Sequence, residues 1–308
     1  MSEERTLPVP DGLAGERVDV GVSRLFGLSR TRAAELVMAG EVTIDGAVPA
    51  RSTRLEAGAL LTAVIPPARP AAQIHAGVVE GMSIVFEDDH IVVVDKPVGV
   101  AAHPSVGWTG PTVLGHLAGA NIRISTSGAP ERKGIVQRLD VGTSGLMVVA
   151  KSERAYSVLK DAFRRRTVSK TYHAVCQGHP DPLRGTIEAP IGRSPHHDYK
   201  YAVMSTGKHA VTHYEVEEMF RSAALLEIHL ETGRTHQIRV HFSAMRHPLV
   251  GDPLYGSDPT IAARLGLERQ WLHAVELSFE HPISREQVTF TSSYPEDLAE
   301  ALRILREG

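Results

Sequence analysis

Arg138, Asp140, Thr143 and Ser144 fall close together, interleaved with Gly142 and Gly145, in the stretch GIVQRLDVGTSGLMVVAKS at 134–152. A carboxylate beside a guanidinium and two hydroxyls can supply a nucleophile, a general base or a charge-holding group. Leu146 to Ala150 is a short apolar run that reads as a buried strand, which leaves Asp140 on the loop that feeds it. The same residue types also make an ordinary turn. Catalysis by Asp140 therefore requires a partner, because a carboxylate near an apolar strand stays ionised only where a cation or several donors offset its lost hydration. TGRTHQIRVHF at 232–242 offers one. Its two arginines bracket a turn and the first turn of a helix, and Arg239 lies beside the apolar stripe Ile238, Phe242 and Met245. Standing alone, Arg239 reads as a half-exposed helix residue; as a fork facing a cleft it would hold a carboxylate ionised and oriented.

Other chemistry-bearing clusters are weaker. Gly142 and Gly145 do not build a G-x-S-x-G elbow around Ser144, and no base stands nearby in sequence, so a hydrolase is set aside. His209 and His213 have helical ligand spacing but sit in a strand-like alternation without the H-E-x-x-H glutamate, and no metal site is expected. The acidic run Glu87 to Asp89 and Asp95 read as a solvated turn and a strand end. GDPLYG at 251–256 reads as a tight structural turn. RRRTVSK at 164–170 reads equally as a solvated helix end and as a phosphate-binding edge.

These residues need a scaffold, and the chain is long enough to build one. Its 308 residues are 42% hydrophobic and 22% charged, which suits a large domain with a smaller companion. The single cysteine, Cys176, forbids an internal disulfide and fits a reducing compartment. With no apolar run of membrane-spanning length and no signal-peptide pattern, the expectation is a cytoplasmic protein without a membrane partner. A net charge of −3 gives no global sign of nucleic-acid binding, so that case rests on local clusters.

PPARPAAQIHAG at 66–77 carries three prolines and no periodicity, and is read as a linker between domains at 12–65 and 78–308. Upstream, Ser29 caps a helix with Ala33, Leu36 and Val37 on one face, and Gly40 ends it. EVTIDGAVPA then alternates into an Asp45-Gly46 hairpin turn. Downstream, SIVFEDDHIVVVDKP reads as two strands. Ser152 caps a helix carrying Ala155, Val158, Leu159, Ala162 and Phe163, with Arg164 to Arg166 at its cation-favouring end. SKTYHAVC, SAALLEIHLE and WLHAVELSFEHP alternate as strands. Strands in runs with helices inserted predict an α+β fold with a mixed, antiparallel-rich sheet.

Residues 17–61 resemble the small S-four type RNA-binding domain, an α/β module that presents basic residues to structured RNA; this implies phosphate contacts for Arg30 and Arg32. FEDDHIVVVDKPVGVAAHP, GIVQRLDVGTSGLMVVAKS, SKTYHAV, LETGRTHQIRVHFSAMRHPLVGDPLYG and LHAVELSFEHP occur in the order and spacing of the RluA-type pseudouridine synthases, and the chain resembles their ribosomal large-subunit branch. That resemblance implies a pseudouridine synthase fold and the isomerisation of uridine in RNA, with no cofactor and no metal. It implies Asp140 as the catalytic aspartate and Arg138 as the arginine that displaces the target uridine. Tyr172 becomes the tyrosine that stacks on the flipped base, Arg239 the partner of the aspartate, and Ile238 an apolar pocket residue. Lys170 and Arg234 become RNA contacts. Gln137 departs from the family's usual histidine.

The implied partner is ribosomal RNA or a large-subunit assembly intermediate, bound by a monomer. The chemistry needs one carboxylate, either as a nucleophile at the anomeric carbon or as a base toward the neighbouring sugar proton, together with a group to extrude the base and a dry pocket. The rival expectations are a non-enzymatic ribosome-assembly factor on the same scaffold and an N-glycosidase that would release uracil.

Overall fold

The computed structural model describes residues 2–67, 74–105, 107–195, 197 and 199–308. The chain divides into two compact units, Met1–Pro70 and Ala71–Gly308. Half of the expected linker, 68–73, lies outside the described residues.

The first unit is a three-stranded antiparallel sheet of β1 (Glu3–Pro8), β2 (Val42–Ile44) and β3 (Leu60–Ile65), in the order β1-β3-β2, with helices α1 (Val18–Phe26) and α2 (Arg30–Met38). Ser29 caps α2 by accepting from the Arg32 amide at 3.2 Å. Ala33, Leu36 and Val37 are buried with Val18, Val22 and Leu61 in one apolar cluster. The unit takes in β1, upstream of residue 12 where the sequence pattern begins. Asp45-Gly46 forms the expected tight turn, but the hairpin stops after the Ile44–Ala47 bridge, and β2 finds its ladder on β3 instead.

In the second unit the strands are β4 (Ser83–Glu87), β5 (Ile91–Lys96), β6 (Ser144–Ala150), β7 (Ser169–Gln177), β8 (Arg184–Glu188), β9 (Ile191–Arg193), β10 (Tyr201–Val203), β11 (Val211–Met219), β12 (Ala223–Leu230), β13 (Leu272–Glu280) and β14 (Gln287–Thr291). The helices are α3 (Val113–Gly119), α4 (Glu153–Arg165), α5 (Gln237–Ala244), α6 (Pro259–Arg264) and α7 (Glu296–Glu307). Nine strands make one sheet along β4-β5-β6-β13-β7-β12-β11-β8, with β14 on β13; β9 and β10 form a separate hairpin. Every pairing in the large sheet is antiparallel except β6 with β13.

Strands IVVV and LMVV are apolar on both faces because both faces are covered. Val92, Val94, Met147 and Val149 pack with Leu114 and Leu117 of α3 and with Ile238 and Phe242 of α5. Ile91, Val93, Leu146 and Val148 pack with Ala155 and Leu159 of α4. Farther along, Ala223 and Leu225 meet Leu298 and Leu302 of α7. The parallel β6–β13 contact depends on Gly145, at φ +111°, where a Cβ would lie 2.3 Å from the Ala274 carbonyl oxygen. The centre of the sheet thus presents the start of β6, and the loop before it, toward α5.

Candidate active site

The loop that carries Asp140 is fastened from three sides. Its own turn closes through the Thr143 amide to the Asp140 carbonyl at 3.0 Å. Lys96, fully buried at the end of β5, donates to the carbonyls of Val100 at 2.9 Å, Pro97 at 3.0 Å and Val141 at 3.5 Å. Burial lowers its amine to about 7, with the nearby Asp140 carboxylate opposing that shift. Arg269 donates to the Gly142 carbonyl at 3.3 Å and to Ser144 Oγ at 3.0 Å, while its other edge is clamped on Asp297 of α7 at 2.7 and 2.9 Å. Thr143 and Ser144 are therefore buried anchors bonded to Gln270 and His273, rather than residues that only satisfy their own turn.

Arg239 projects from the first turn of α5 and is buried. Its Nη1 donates to Asp140 Oδ2 at 3.3 Å. Its Nε and Nη2 take both oxygens of Asp252 at 2.7 and 2.9 Å, and the guanidinium lies 5.0 Å from the Tyr255 ring centroid. Burial opposes the charge on Arg239, yet its two carboxylate partners raise its pKa on balance. Asp252 also accepts from the Leu254 amide at 2.9 Å, so GDPLYG is a turn as expected and in addition the cradle for Arg239. That function was missed in the sequence, where the glycines and the proline account for the segment.

Tyr172 on β7 and Ile238 on α5 are buried walls of a small hollow of about 70 Å³ that also contacts Arg138, Asp140 and His236. Burial raises the Tyr172 phenol, keeping it neutral. Arg138 is exposed at the rim and donates to Thr235 Oγ1. The hollow adjoins a cleft of about 550 Å³ that shares Arg138, Tyr172 and Arg234 and is walled by Lys160, Arg164, Arg166 and Lys170. Arg234 also donates to the His209 carbonyl at 2.9 Å. Lys170 is half-buried, and burial, then the charge of Arg166, brings it down to about 8.

Gln137 lines the cleft too, with its Nε2 buried and without a hydrogen-bond partner among the described residues. His213 on β11 is engaged by Thr186 and Glu231, and His209 lies 3.6 Å from Glu188. Arg30 and Arg32 belong to the first unit. Arg30 is exposed, 3.8 Å from Asp19, and Arg32 pairs with Glu35 at 3.2 Å.

Of the residues singled out in the sequence, Asp140, Arg138, Tyr172, Ile238, Arg239, Lys170 and Arg234 converge on the hollow and its cleft. Asp252, Lys96, Arg269 and His236 were not foreseen. A lysine closing an apolar strand run is the one signal that would have pointed to Lys96.

The family model for RNA pseudouridylate synthase matches residues 90–244. An uncharacterized RNA pseudouridine synthase of Mycobacterium bovis is 60% identical over 98% of each chain. A ribosomal large subunit pseudouridine synthase D of Xanthomonas campestris is 38% identical over 99% of this chain and 94% of its own. Among solved structures, human RNA pseudouridylate synthase domain containing 4 superposes with a TM-score of 0.56 at 26% identity, over 72% of this chain and 92% of that one.

Proposed function

Because the chain belongs to the RNA pseudouridylate synthase family, RluA type, and isomerises uridine in RNA, we propose that its substrate is large-subunit ribosomal RNA, free or in an assembly intermediate, with Asp140 as the catalytic carboxylate. The ribosomal substrate is supported by the name of the Xanthomonas relative, which matches almost end to end. The residue roles rest on one observation: Asp140 held 3.3 Å from the Arg239 guanidinium at the edge of a hollow walled by Tyr172 and Ile238.

The bond between the sugar's anomeric carbon and uracil N1 breaks with its electron pair moving onto the base; the base turns; a bond from the same sugar carbon to uracil C5 then forms, after which C5 gives up its proton and N1 takes one. Asp140 either attacks the anomeric carbon, forming an ester that uracil C5 then displaces, or removes the adjacent sugar proton and returns it as the new bond forms, and Arg239 keeps it ionised and aimed for either. Arg138 at the rim takes the place of the extruded uridine, and Tyr172 offers the ring face against which the base lies. Ile238 and the other apolar walls keep water from capturing the sugar. Lys170 and Arg234, with Lys160, Arg164 and Arg166, contact RNA phosphates along the cleft. Residues 12–65 form a separate RNA-binding module in which Arg30 and Arg32 meet phosphate. The protein works as a monomer in the cytoplasm.

Asp140→Asn keeps the shape of the side chain and removes its charge. It is expected to abolish pseudouridine formation, read by chemical mapping of modified ribosomal RNA, while RNA affinity and melting temperature stay close to wild type. An active Asp140→Asn enzyme would refute the assignment.

A further inference from the structure

His236 touches the hollow but has no role in the chemistry described so far, and its ring stands beside Asp140. It occupies the left-handed region at φ 57°, immediately before α5, and its side chain is 16% exposed. The ring is wedged edge-on between Tyr201 and Tyr255, with centroids at 5.7 and 5.6 Å. It lines both the Tyr172 hollow and the adjoining recess that contains Arg239.

The hydrogen bonds around it decide which ring nitrogen carries the proton. The Tyr201 amide donates to the Tyr255 hydroxyl oxygen at 3.1 Å. That hydroxyl is buried, and its own proton has one acceptor within reach among the described residues, His236 Nδ1 at 2.7 Å. Nδ1 is therefore the acceptor and Nε2 bears the hydrogen. Burial lowers the imidazole pKa, so the ring is neutral near pH 7. Nε2 lies 3.9 Å from Asp140 Oδ2, too far for a hydrogen bond between them. A neutral imidazole with its tautomer fixed by two tyrosines thus presents beside the carboxylate an N–H donor that is unspent among the described residues.

We propose that His236 is a catalytic donor, its Nε2–H hydrogen-bonding to a carbonyl oxygen of the uracil as the glycosidic bond breaks and so holding part of the charge on the departing base. The proposal rests on Asp140 being the catalytic carboxylate. When the bond to N1 breaks, the electron pair moves onto the uracil and spreads to its carbonyl oxygens, whichever role Asp140 takes. The His236 proton stays on nitrogen throughout. A positioned donor fixed before the reaction stabilises such charge without reorganisation during it. The strained backbone at 236 fits a side chain whose direction is imposed by function.

The test compares single-turnover consumption of uridine and 5-fluorouridine in otherwise identical RNA, because fluorine itself stabilises the departing base anion. His236→Ala is expected to slow the uridine reaction by about 100-fold, and on 5-fluorouridine its deficit shrinks by about tenfold as less stabilisation is asked of the enzyme. His236→Gln, which restores an amide N–H, recovers part of the rate. Tyr255→Phe frees the tautomer and is expected to show a smaller deficit with the same dependence on fluorine. RNA affinity stays unchanged in all three. Equal deficits on both substrates, or a wild-type rate in His236→Ala, would overturn the donor. Should His236→Ala fail to fold, the same comparison in His236→Gln and Tyr255→Phe decides. Asp140→Asn run alongside separates the two ideas: inactivity there with an unaffected His236→Ala removes only the donor, whereas activity in Asp140→Asn removes the site beneath it.

Discussion

The guanidinium of Arg239 serves two carboxylates, and the geometry ranks them. Asp252 takes the two-pronged edge at 2.7 and 2.9 Å and is fully buried, while Asp140 takes the remaining nitrogen at 3.3 Å and keeps some exposure. Asp252 fixes the direction of the fork, and what is left of the charge faces Asp140. Asp252→Asn cuts the stronger pair and leaves a buried cation leaning on Asp140 alone. Breaking a buried pair from one side is expected to cost about 3 kcal/mol or more of stability, visible in denaturant unfolding. The single-turnover rate should fall with it, about tenfold or more, because Asp140 is pulled toward the cation. A variant with wild-type stability and rate would show that Asp252 is only a turn residue. His273 carries a pH signature of its own. Burial, then the charge of Arg269, lowers its pKa from 6.5 to about 4. Below pH 6.5 the unfolded chain binds a proton here that the folded chain refuses until about pH 4, so stability falls as pH is lowered through that window. The full effect is about 3 kcal/mol. His273→Gln, though less stable at pH 7, is expected to lose less of its melting temperature between pH 7 and 4.5. Parallel acid limbs for the two proteins would contradict it.

At the scale of elements, the loop that carries Asp140 is tied to the far end of the chain. Ser292 donates to Asp95 and so accepts from His273 Nε2–H at 3.0 Å; the neutral ring then accepts at Nδ1 from Ser144 at 2.8 Å, and Ser144 accepts from Arg269. This ordered line crosses β6 and β13 and ends on β5. Its head is gripped by Asp297 in the first turn of α7, where a carboxylate is also favoured by the helix dipole. Asp297→Asn loosens that grip without emptying the core that α7 covers. The expected result is a rate constant lowered about tenfold with little change in KM, since a misaligned Asp140 affects the chemistry and leaves the RNA contacts alone. Asp297→Glu should restore part of the rate, and an equal loss in both variants that follows the unfolded fraction would reduce the pair to a structural brace. Strands β2, β4 to β7 and β11 to β13, the caps at Ser29 and Ser152 and the inward stripe of α5 were legible in the sequence because periodicity and cap chemistry are local; β1, β3, β8 to β10 and β14 were not read there. The ladder partner of β2, the cradle at Asp252 and the Arg269–Asp297 clamp were not. Each joins positions whose meeting is set by the assembled sheet, and in one dimension each residue already had a sufficient local explanation.

For the molecule as a whole, the net charge conceals a local gathering of cations. A net charge of −3 gives no global sign of nucleic-acid binding, yet Lys160, Arg164, Arg166, Lys170 and Arg234 gather along a single cleft beside the hollow. Arg166 is offset by Glu231 at 3.1 Å and the more exposed Arg164 pairs with Asp161; exchanging that exposed pair for phosphate, Arg164 joins Lys160, Lys170 and Arg234 as about four expected phosphate contacts. The run RRRTVSK, read in sequence equally as a helix end and as a phosphate edge, closes α4 at Arg165 and brings Arg164, Arg166 and Lys170 to the wall of the cleft. RNA affinity should therefore fall steeply with salt despite the acidic total, with a log–log slope near roughly −3 for about four contacts to single-stranded phosphates. Lys160→Ala combined with Arg164→Ala is expected to weaken binding evenly across RNA sequences and to flatten that slope by about 1.4, from about 0.7 for each contact removed. Because Lys170 loses its proton near pH 8, wild-type affinity should also decline between pH 7 and 9, where the arginines do not titrate. Filter binding across a salt series at two pH values measures all three quantities. A flat salt response, or a double variant with the wild-type slope, would mean that RNA takes another route to Asp140 and that the cleft is a solvated face.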